Sequence, residues 1–297
     1  MKVIEVKQLT KAYGKFTAIN DMSFSVEANK IYGLLGRNGA GKTTLMKMIT
    51  AQIFPTSGLL NVFDENSYEN AKVLRQICFI KESQKYPDHY TVFDVLEVSK
   101  VIFPYWDNSL AKSLLEDFNL PIKRKIKKLS RGMLSAVGIV IGLASRAPLT
   151  IFDEPYLGLD AVSRELFYKR LMEDFSEQPR TFILSTHLID EVSHLFQHVL
   201  VIDNGKLLID EDAENLRGKA FTVTGSTAKV ESFLKGKEAI HREPFGGLLS
   251  ATVICSQDGS EQKEAMASGL EISPVSLQQL VVHLTNGEME QKGVDAE

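Results

Sequence analysis

The chain is poor in cysteine and tryptophan: its 297 residues include only two cysteines and one tryptophan. Cys78 and Cys255 lie far apart in the sequence and outside any CxxC or Cys/His ligand spacing. The sequence therefore indicates neither a disulfide framework nor a cysteine-based zinc site. This cysteine usage is typical of proteins in a reducing compartment.

Long apolar runs and a strong net charge are also missing. The longest apolar-rich stretch, Met133–Ala144, is far shorter than the roughly 20 residues that a membrane span requires. Met1–Gly14 alternates polar and apolar residues and lacks the apolar core of a signal peptide. A formal net charge of −4 provides no bulk attraction to nucleic acid or anionic lipid. We therefore expect a cytoplasmic chain that binds no nucleic acid and reaches a membrane only through another subunit.

The apolar patterns predict an α/β fold. Val3–Leu9 and Met22–Glu27 show the period-2 alternation of half-buried strands, which predicts antiparallel edge structure. Ile31–Gly36 is continuously apolar, as buried strands are, and leads through glycines into a helix-like segment. Apolar residues recur at three- and four-residue spacing over Tyr90–Gly142, which predicts helices. Two more buried strands are predicted after these helices: Pro148–Phe152 and Thr181–Thr186.

Two domains are expected from the same patterns. Residues 1–218 form the main domain, in which about 84–147 make up a helical subdomain. Residues 219–297 mix strand-like and helix-like segments and form a small α+β accessory domain. Its polar end, Gly287–Glu297, is predicted to be a flexible tail.

The segment GRNGAGKTT, Gly36–Thr44, matches the P-loop pattern GxxxxGK[ST]. It lies between a buried strand and a helix, a context that a chance glycine-rich turn would lack. Backbone N–H groups of such a loop converge on phosphate oxygens, and the helix N-terminus adds positive potential. Lys42 is expected to reach the β and γ phosphates, and Thr43 to offer its hydroxyl to Mg²⁺. The predicted nucleotide-binding residues of this loop are Gly36, Asn38, Gly39, Gly41, Lys42, Thr43 and Thr44.

Two acids and a histidine follow buried strands further along the chain. LTIFDEP delivers Asp153 and Glu154 at the carboxyl end of its strand, where ligands collect in open α/β sheets. We expect Asp153 to hold Mg²⁺ and Glu154 to accept a proton from the attacking water. A solvated acidic turn is the alternative. His187 ends the next strand and would hydrogen-bond the γ-phosphate or orient the water, unless its role is structural.

Five motifs occur in one order: GRNGAGKTT, LSRGM, LTIFDEP, LGLD and STH. With this set, the chain resembles the nucleotide-binding subunit of ABC transporters over Val3–Gly218. The resemblance implies a P-loop NTPase ABC cassette with a mixed sheet core, an antiparallel β subdomain and a helical subdomain. It also implies a head-to-tail dimer, in which Ser130 and Gly132 of one subunit contact the γ-phosphate held by the other.

The resemblance implies roles for further residues. Tyr13 matches the aromatic residue that stacks on adenine, although an ordinary edge-strand tyrosine is the alternative. Asp160 in LGLD matches the aspartate that signals between the two nucleotide sites. Asp153, Glu154 and His187 match the Walker B acid, the catalytic glutamate and the switch histidine of the family.

The sequence departs from the family pattern at two places. Where the family often has a glutamine that senses Mg²⁺ and the membrane subunit, this chain has Glu82, with Gln84 as the alternative. We favour Glu82 as an additional metal ligand. The signature is LSRGM where LSGGQ is common, so Arg131 replaces the first glycine and Met133 the glutamine.

The resemblance implies ATP hydrolysis, with Mg²⁺, that energises transport through separate transmembrane permease subunits. The chain would then lie peripherally on the inner face of the cell membrane, and Tyr86–Trp106 would receive a permease segment unless its aromatics fill the core. The general pattern resembles bacterial ABC-2-type exporter subunits. The altered signature leaves open a catalytically weak regulatory half of a heterodimer.

Overall fold

The structure is a computed structural model and describes residues 1–82, 84–237, 239–255 and 259–294. The chain forms two compact units. The first consists of Met1–His187 with Leu195–Asp210, and the second of Leu188–His194 with Glu211–Glu297. The second unit therefore includes a short segment that directly follows His187.

The first unit contains most of the strands and helices of the predicted main domain, and its last strand extends two residues beyond the unit's end at Asp210. In chain order its elements are β1 Lys2–Tyr13, β2 Phe16–Glu27, β3 Ile31–Leu35, α1 Lys42–Ile49, β4 Ser57–Val62, α2 Ala71–Leu74, β5 Ile77–Ile80, α3 Val92–Ile102, α4 Asn108–Asp117, α5 Arg131–Ala144, β6 Leu149–Asp153, α6 Ala161–Glu177, β7 Thr181–Ser185, β8 His198–Asp203 and β9 Lys206–Asp212. A single turn of 3₁₀ helix, Ile126–Lys128, precedes α5.

A six-stranded sheet in the order β5-β6-β7-β3-β8-β9 forms the centre of the first unit. The pairings from β5 to β8 are all parallel. Every residue of β3, β6 and β7 is buried, which explains why these strands are continuously apolar in sequence. Their carboxyl ends lie at one edge of the sheet, so this edge presents the P-loop, the Asp153–Glu154 pair and His187.

A second, three-stranded antiparallel sheet has the order β2-β1-β4. Its first two strands are longer than the alternating patterns predict, because they continue to a tight hairpin in which Tyr13 pairs with Phe16. The register shifts between Val6 and Leu9 and again between Leu9 and Lys11. These irregularities break the period-2 alternation, so the pattern in the sequence ends before the strand does.

The helices α3, α4 and α5 lie in the predicted helical subdomain. The glycines of α5 allow close packing on the central sheet. A Cβ atom at Gly142 would lie 2.4 Å from the Phe152 ring, and one at Gly138 would lie 2.8 Å from Ile80. The signature helix therefore packs directly against β5 and β6.

The second unit is built around a four-stranded antiparallel sheet in the order β11-β12-β10-β13. Its elements are α7 Ile189–Val192, α8 Ala213–Leu216, β10 Ala220–Ser226, α9 Thr227–Phe233, β11 Ala239–Phe245, β12 Leu248–Ile254, α10 Ser260–Ala267, β13 Glu271–Pro274 and α11 Leu277–Val294. From β10 to β13 the chain has the βαββαβ order of a ferredoxin-like domain. The expected tail is helical up to Val294, and the last three residues lie outside the described part.

None of the helices in the described ranges combines the length and the apolar character that a membrane span needs.

Candidate active site

The P-loop connects β3 to α1 and is held tightly at two glycines. A Cβ atom at Gly36 would lie 2.1 Å from the carbonyl oxygen of Ile202, and one at Gly41 would lie 2.7 Å from that of Ala18. Both glycines have positive φ angles, 146° and 113°, which only glycine adopts easily. The loop is therefore clamped between β8 and β2, while its central residues Asn38 and Gly39 are exposed.

Lys42 begins α1 and is buried, with 7% of its surface exposed. Its Nζ donates hydrogen bonds to the carbonyl oxygens of Gly36, at 2.6 Å, and Arg37, at 3.0 Å. Burial lowers the pKa of Lys42, and the Glu154 and Asp153 carboxylates oppose this shift. The ammonium group thus lies inside the curve of the loop and near the acidic pair, where a phosphate group would meet it.

Thr43 and Asp153 provide two oxygen ligands at one point. The Thr43 hydroxyl donates to Asp153 Oδ2 at 3.2 Å. Burial raises the pKa of Asp153, while this hydrogen bond and the charge of Lys42 lower it. Both residues line a cleft of about 460 Å³, whose other lining residues include Glu82 and Gln84. This set of oxygen ligands fits Mg²⁺, which typically takes one or two protein ligands and completes its shell with phosphate and water.

Glu154 follows β6 in a left-handed backbone conformation, with φ 52°. Its N–H donates to the Ser185 carbonyl oxygen at 3.1 Å, which fixes the backbone against the end of β7. Its Oε2 atom lies 2.7 Å from Nδ1 of His187. A carboxylate only accepts, so Nδ1 carries the proton in this contact. The predicted base and the predicted switch histidine are therefore in direct contact.

Tyr156 also contacts Glu154, and the sequence analysis did not select it. Its hydroxyl donates to the same Oε2 atom of Glu154, contacts the Thr186 hydroxyl and accepts the His187 backbone N–H at 3.2 Å. Burial and the Glu154 carboxylate raise the pKa of the phenol. The only sequence signal was a large aromatic residue immediately after DEP.

The signature segment starts α5 and packs against the loop that follows Glu154. Ser130 caps the helix by accepting the Met133 N–H at 3.2 Å, and its side chain is exposed. A Cβ atom at Gly132 would lie 2.4 Å from the Gly158 carbonyl oxygen. The Ser135 hydroxyl donates to the Leu157 carbonyl at 2.6 Å. The signature segment LSRGM thus makes a close contact within this chain, with the LGLD segment.

The two departures from the family pattern lie against each other. Arg131 Nη2 and Glu82 Oε1 are 3.0 Å apart, and both side chains are largely exposed. Glu82 also lines the cleft beside Thr43 and Asp153, as does Gln84. Both candidates therefore lie at the cleft, and of the two it is Glu82 that pairs with Arg131.

Comparison with known proteins agrees with this geometry. The family model "ABC transporter" matches residues 19–157. Over 289 residues the chain is 33% identical to the bacitracin transport ATP-binding protein BcrA of Enterococcus faecalis. This alignment covers 87% of this chain and 94% of the relative. The chain is 31% identical over 220 residues to the lantibiotic transport ATP-binding protein SrtF of Streptococcus pyogenes, with 72% and 94% covered. The chain belongs to the ABC transporter ATP-binding proteins.

The family assignment confirms the predicted resemblance, fold class and ATPase activity. A solved dimeric ATP-binding cassette in a post-hydrolysis state with ADP and Pi has the same fold. Its TM-score is 0.64 at 20% identity, over 71% of this chain and 98% of that one. This likeness concerns the fold; the chain is an ATPase coupled to transport because it belongs to the family.

Two further predicted residues of the ABC subunit lie at the surface. Tyr13 is 49% exposed, and the Lys11 ammonium lies 4.8 Å from its ring centroid. Phe16, its partner in the hairpin, is also exposed and is a second aromatic candidate. Asp160 caps α6 by accepting the Ser163 N–H at 2.8 Å, which lowers the pKa of Asp160. The roles of Tyr13 and Asp160 toward a nucleotide or a second subunit stay predictions.

Proposed function

We propose that this chain is the ATP-hydrolysing subunit of an exporter and acts as a head-to-tail dimer with a second ATP-binding subunit. The dimer would close around two ATP molecules with Mg²⁺, and reopening after hydrolysis would move separate permease subunits. The observation that carries this proposal is the contact between Glu154 and His187, at 2.7 Å, beside the P-loop lysine.

Each side chain at the sheet edge has a chemical task in this proposal. Lys42 stabilises phosphate charge, and Thr43 with Asp153 holds Mg²⁺, which, when bound, neutralises charge on the phosphates. Glu82 is the additional candidate ligand. Glu154 accepts the proton of the attacking water because it is the acid at the site that is not needed for the metal. His187 orients this carboxylate and senses the γ-phosphate.

Exposed groups support the dimer. Ser130 and the N-terminal end of α5 face solvent, and the N–H groups of a helix N-terminus attract anions. A nucleotide on the partner subunit would supply such an anion. Tyr13 would stack on the adenine of its own site, and Asp160 would act at the interface.

Apolar groups on and after α3 support a permease contact. Val101 is 87% exposed, and Phe93, Ile102 and Tyr105 are each more than half exposed. A neighbouring cavity of about 240 Å³ is lined mainly by apolar and aromatic residues, including Tyr86. Exposed apolar patches of this kind mark protein interfaces. We therefore place the permease on this surface and the chain at the inner face of the membrane.

The bacitracin and lantibiotic transport relatives point to export of peptide-like antibiotics as the transport class.

Replacement of Glu154 by glutamine tests the hydrolytic mechanism. We expect Glu154→Gln to lose turnover and to accumulate an ATP-bound dimer, because glutamine keeps the shape of the base but cannot accept the proton. ATPase assays and size-exclusion chromatography with ATP measure both effects. Glu165→Gln, an exposed acid on α6, is the matched control. Wild-type turnover in Glu154→Gln would show that another group is the base.

A catalytically weak regulatory half of a heterodimer is the second candidate. The observation that favours it is the pairing of Glu82, a candidate metal ligand, with Arg131 of the signature. ATPase measurement on the purified chain alone separates the two candidates. Turnover that requires a different ATP-binding subunit would support the second.

A further inference from the structure

The carboxylate of Glu154 is held at one oxygen by two different donors. Nδ1 of His187 and the hydroxyl of Tyr156 both donate a hydrogen bond to Oε2 of Glu154. With Oε2 occupied in this way, Oε1 is the oxygen that is available to receive a proton from water. A general base works only when the accepting atom has a defined position.

The hydrogen bonds of Tyr156 form a directed chain. A tyrosine hydroxyl has one proton, and this proton goes to Glu154. The Thr186 hydroxyl must therefore donate to the Tyr156 oxygen, which also accepts the His187 backbone N–H at 3.2 Å. Hydrogen bonds arranged in series in a buried site polarise and strengthen one another. Because these hydrogen bonds run in one direction, from Thr186 through Tyr156 to Glu154, the Tyr156 hydroxyl always donates to Glu154.

The two donors differ in their freedom to move. Tyr156 is 2% exposed and fixed at its hydroxyl by Thr186 and a backbone amide. The side chain of His187 is 49% exposed. A half-exposed histidine can turn toward another acceptor, whereas a buried tyrosine cannot leave without opening the core.

We propose that Tyr156 is the positioning residue for the Glu154 carboxylate, and that it keeps this base oriented when His187 leaves for another partner. The proposal rests on the proposed role of Glu154 as the base. Burial and the neighbouring carboxylate raise the pKa of Tyr156, so the phenol keeps its proton and stays a donor. Tyr156 acts through Glu154 and does not itself react.

Tyr156→Phe in the full-length chain is the direct test, because it removes the hydroxyl and keeps the ring. A hydrogen bond to a charged group contributes enough that its loss should lower kcat by about ten- to hundredfold. KM for ATP should stay within about twofold, since the interaction acts on the chemical step. Tyr168→Phe makes the same change at another buried tyrosine, on α6, and should keep wild-type kinetics.

A double-mutant comparison separates positioning from packing. In a Glu154→Gln background, adding Tyr156→Phe should change the residual rate by less than about twofold, because the residue through which Tyr156 acts is already disabled. A purely structural tyrosine would lower the rate by the same factor in both backgrounds. That result, or an unchanged kcat in the single variant, would overturn the proposal.

Two further measurements keep the test decisive. If Tyr156→Phe does not melt cooperatively, Thr186→Val removes the group that orients the Tyr156 hydroxyl while keeping the tyrosine. It should show a smaller loss of kcat, at constant KM, that disappears with Glu154→Gln. An unchanged kcat in Thr186→Val would then refute positioning. If Glu154→Gln alone keeps full turnover, the base assignment fails, and this result is distinct from a failure of Tyr156.

Discussion

The contact between Gly132 and Gly158 gives the sharpest prediction about the signature segment. A Cβ atom at Gly132 would lie 2.4 Å from the Gly158 carbonyl oxygen, whereas real Cβ contacts are essentially never below 3.0 Å. Gly132→Ala must therefore push α5 and the LGLD loop apart by roughly half an ångström or more. The obstacle is backbone and not a flexible side-chain end, so rotation cannot relieve it.

The loop that must move is connected to Glu154. The Leu157 N–H donates to the Glu154 carbonyl, and the Leu157 carbonyl accepts from Ser135 on α5. A displacement of about 1 Å at reacting groups can cost about a hundredfold in rate, so we expect at least a tenfold loss of ATPase activity. Overpacking of this kind costs about 1–3 kcal/mol, which corresponds to a fall in Tm of about 2–12 °C.

The Tm of Gly132→Ala measured without nucleotide shows whether the clash within the chain causes the loss of activity. If the clash lies within one chain, Gly132→Ala lowers Tm in the absence of ATP. A glycine needed only for contact with a nucleotide on the partner would leave the nucleotide-free Tm unchanged. Gly247→Ala is the control, since a Cβ atom there meets nothing within 4 Å. Wild-type Tm and ATPase activity in Gly132→Ala would refute the reasoning.

Two further predictions concern stability and the permease surface. Asp174, 2% exposed, lies between the guanidinium groups of Arg146 and Arg180. Asp174→Asn leaves the buried charge of Arg180 without its carboxylate, while Arg146 keeps its ion pair with Asp107 at 3.0 Å. We therefore expect a loss of about 3–5 kcal/mol and a fall in Tm of about 6–20 °C by calorimetry; a fall below about 2 °C would contradict this. Val101→Asp should abolish co-purification with permease subunits from membranes while the ATPase activity of the isolated chain stays within about twofold, because Val101 is 87% exposed. Unchanged co-purification would place the permease elsewhere.

Strands of the central sheet were predictable because burial on both faces makes their sequences continuously apolar. Each of β3, β6 and β7 is a short apolar run that ends at a P-loop, an acidic pair or a histidine. Parallel neighbours bring such ends together, so motif order and strand character together predicted one site. The extent of β1 was less predictable, because its irregular register interrupts the alternation.

The boundary between the two units was not evident from the sequence. The patterns placed a domain end near Gly218, whereas Leu188–His194 packs with the second unit. In that unit Asp190 Oδ1 lies 3.3 Å from the Gln278 N–H, and Oδ2 accepts the Ser276 hydroxyl at 3.2 Å, at the start of α11. Residues separated by this much sequence meet only through tertiary packing. No local pattern near Asp190 marks such a contact.

The pair formed by Glu82 and Arg131 is a second contact, within the site, that no local sequence pattern predicts. In the sequence each residue is a separate departure from the family pattern: Glu82 is favoured as an additional metal ligand, and the altered signature leaves open a catalytically weak subunit. In the structure their charges meet at 3.0 Å, so one departure accompanies the other. Both side chains are largely exposed, and exposed pairs contribute only about 0–1 kcal/mol, so stability is a poor reason for the pair. Its position is more informative, because Glu82 lines the cleft beside Asp153 and Arg131 begins the helix that carries Gly132. Through this ion pair, the altered signature connects the cleft beside Asp153 to the first residue of α5.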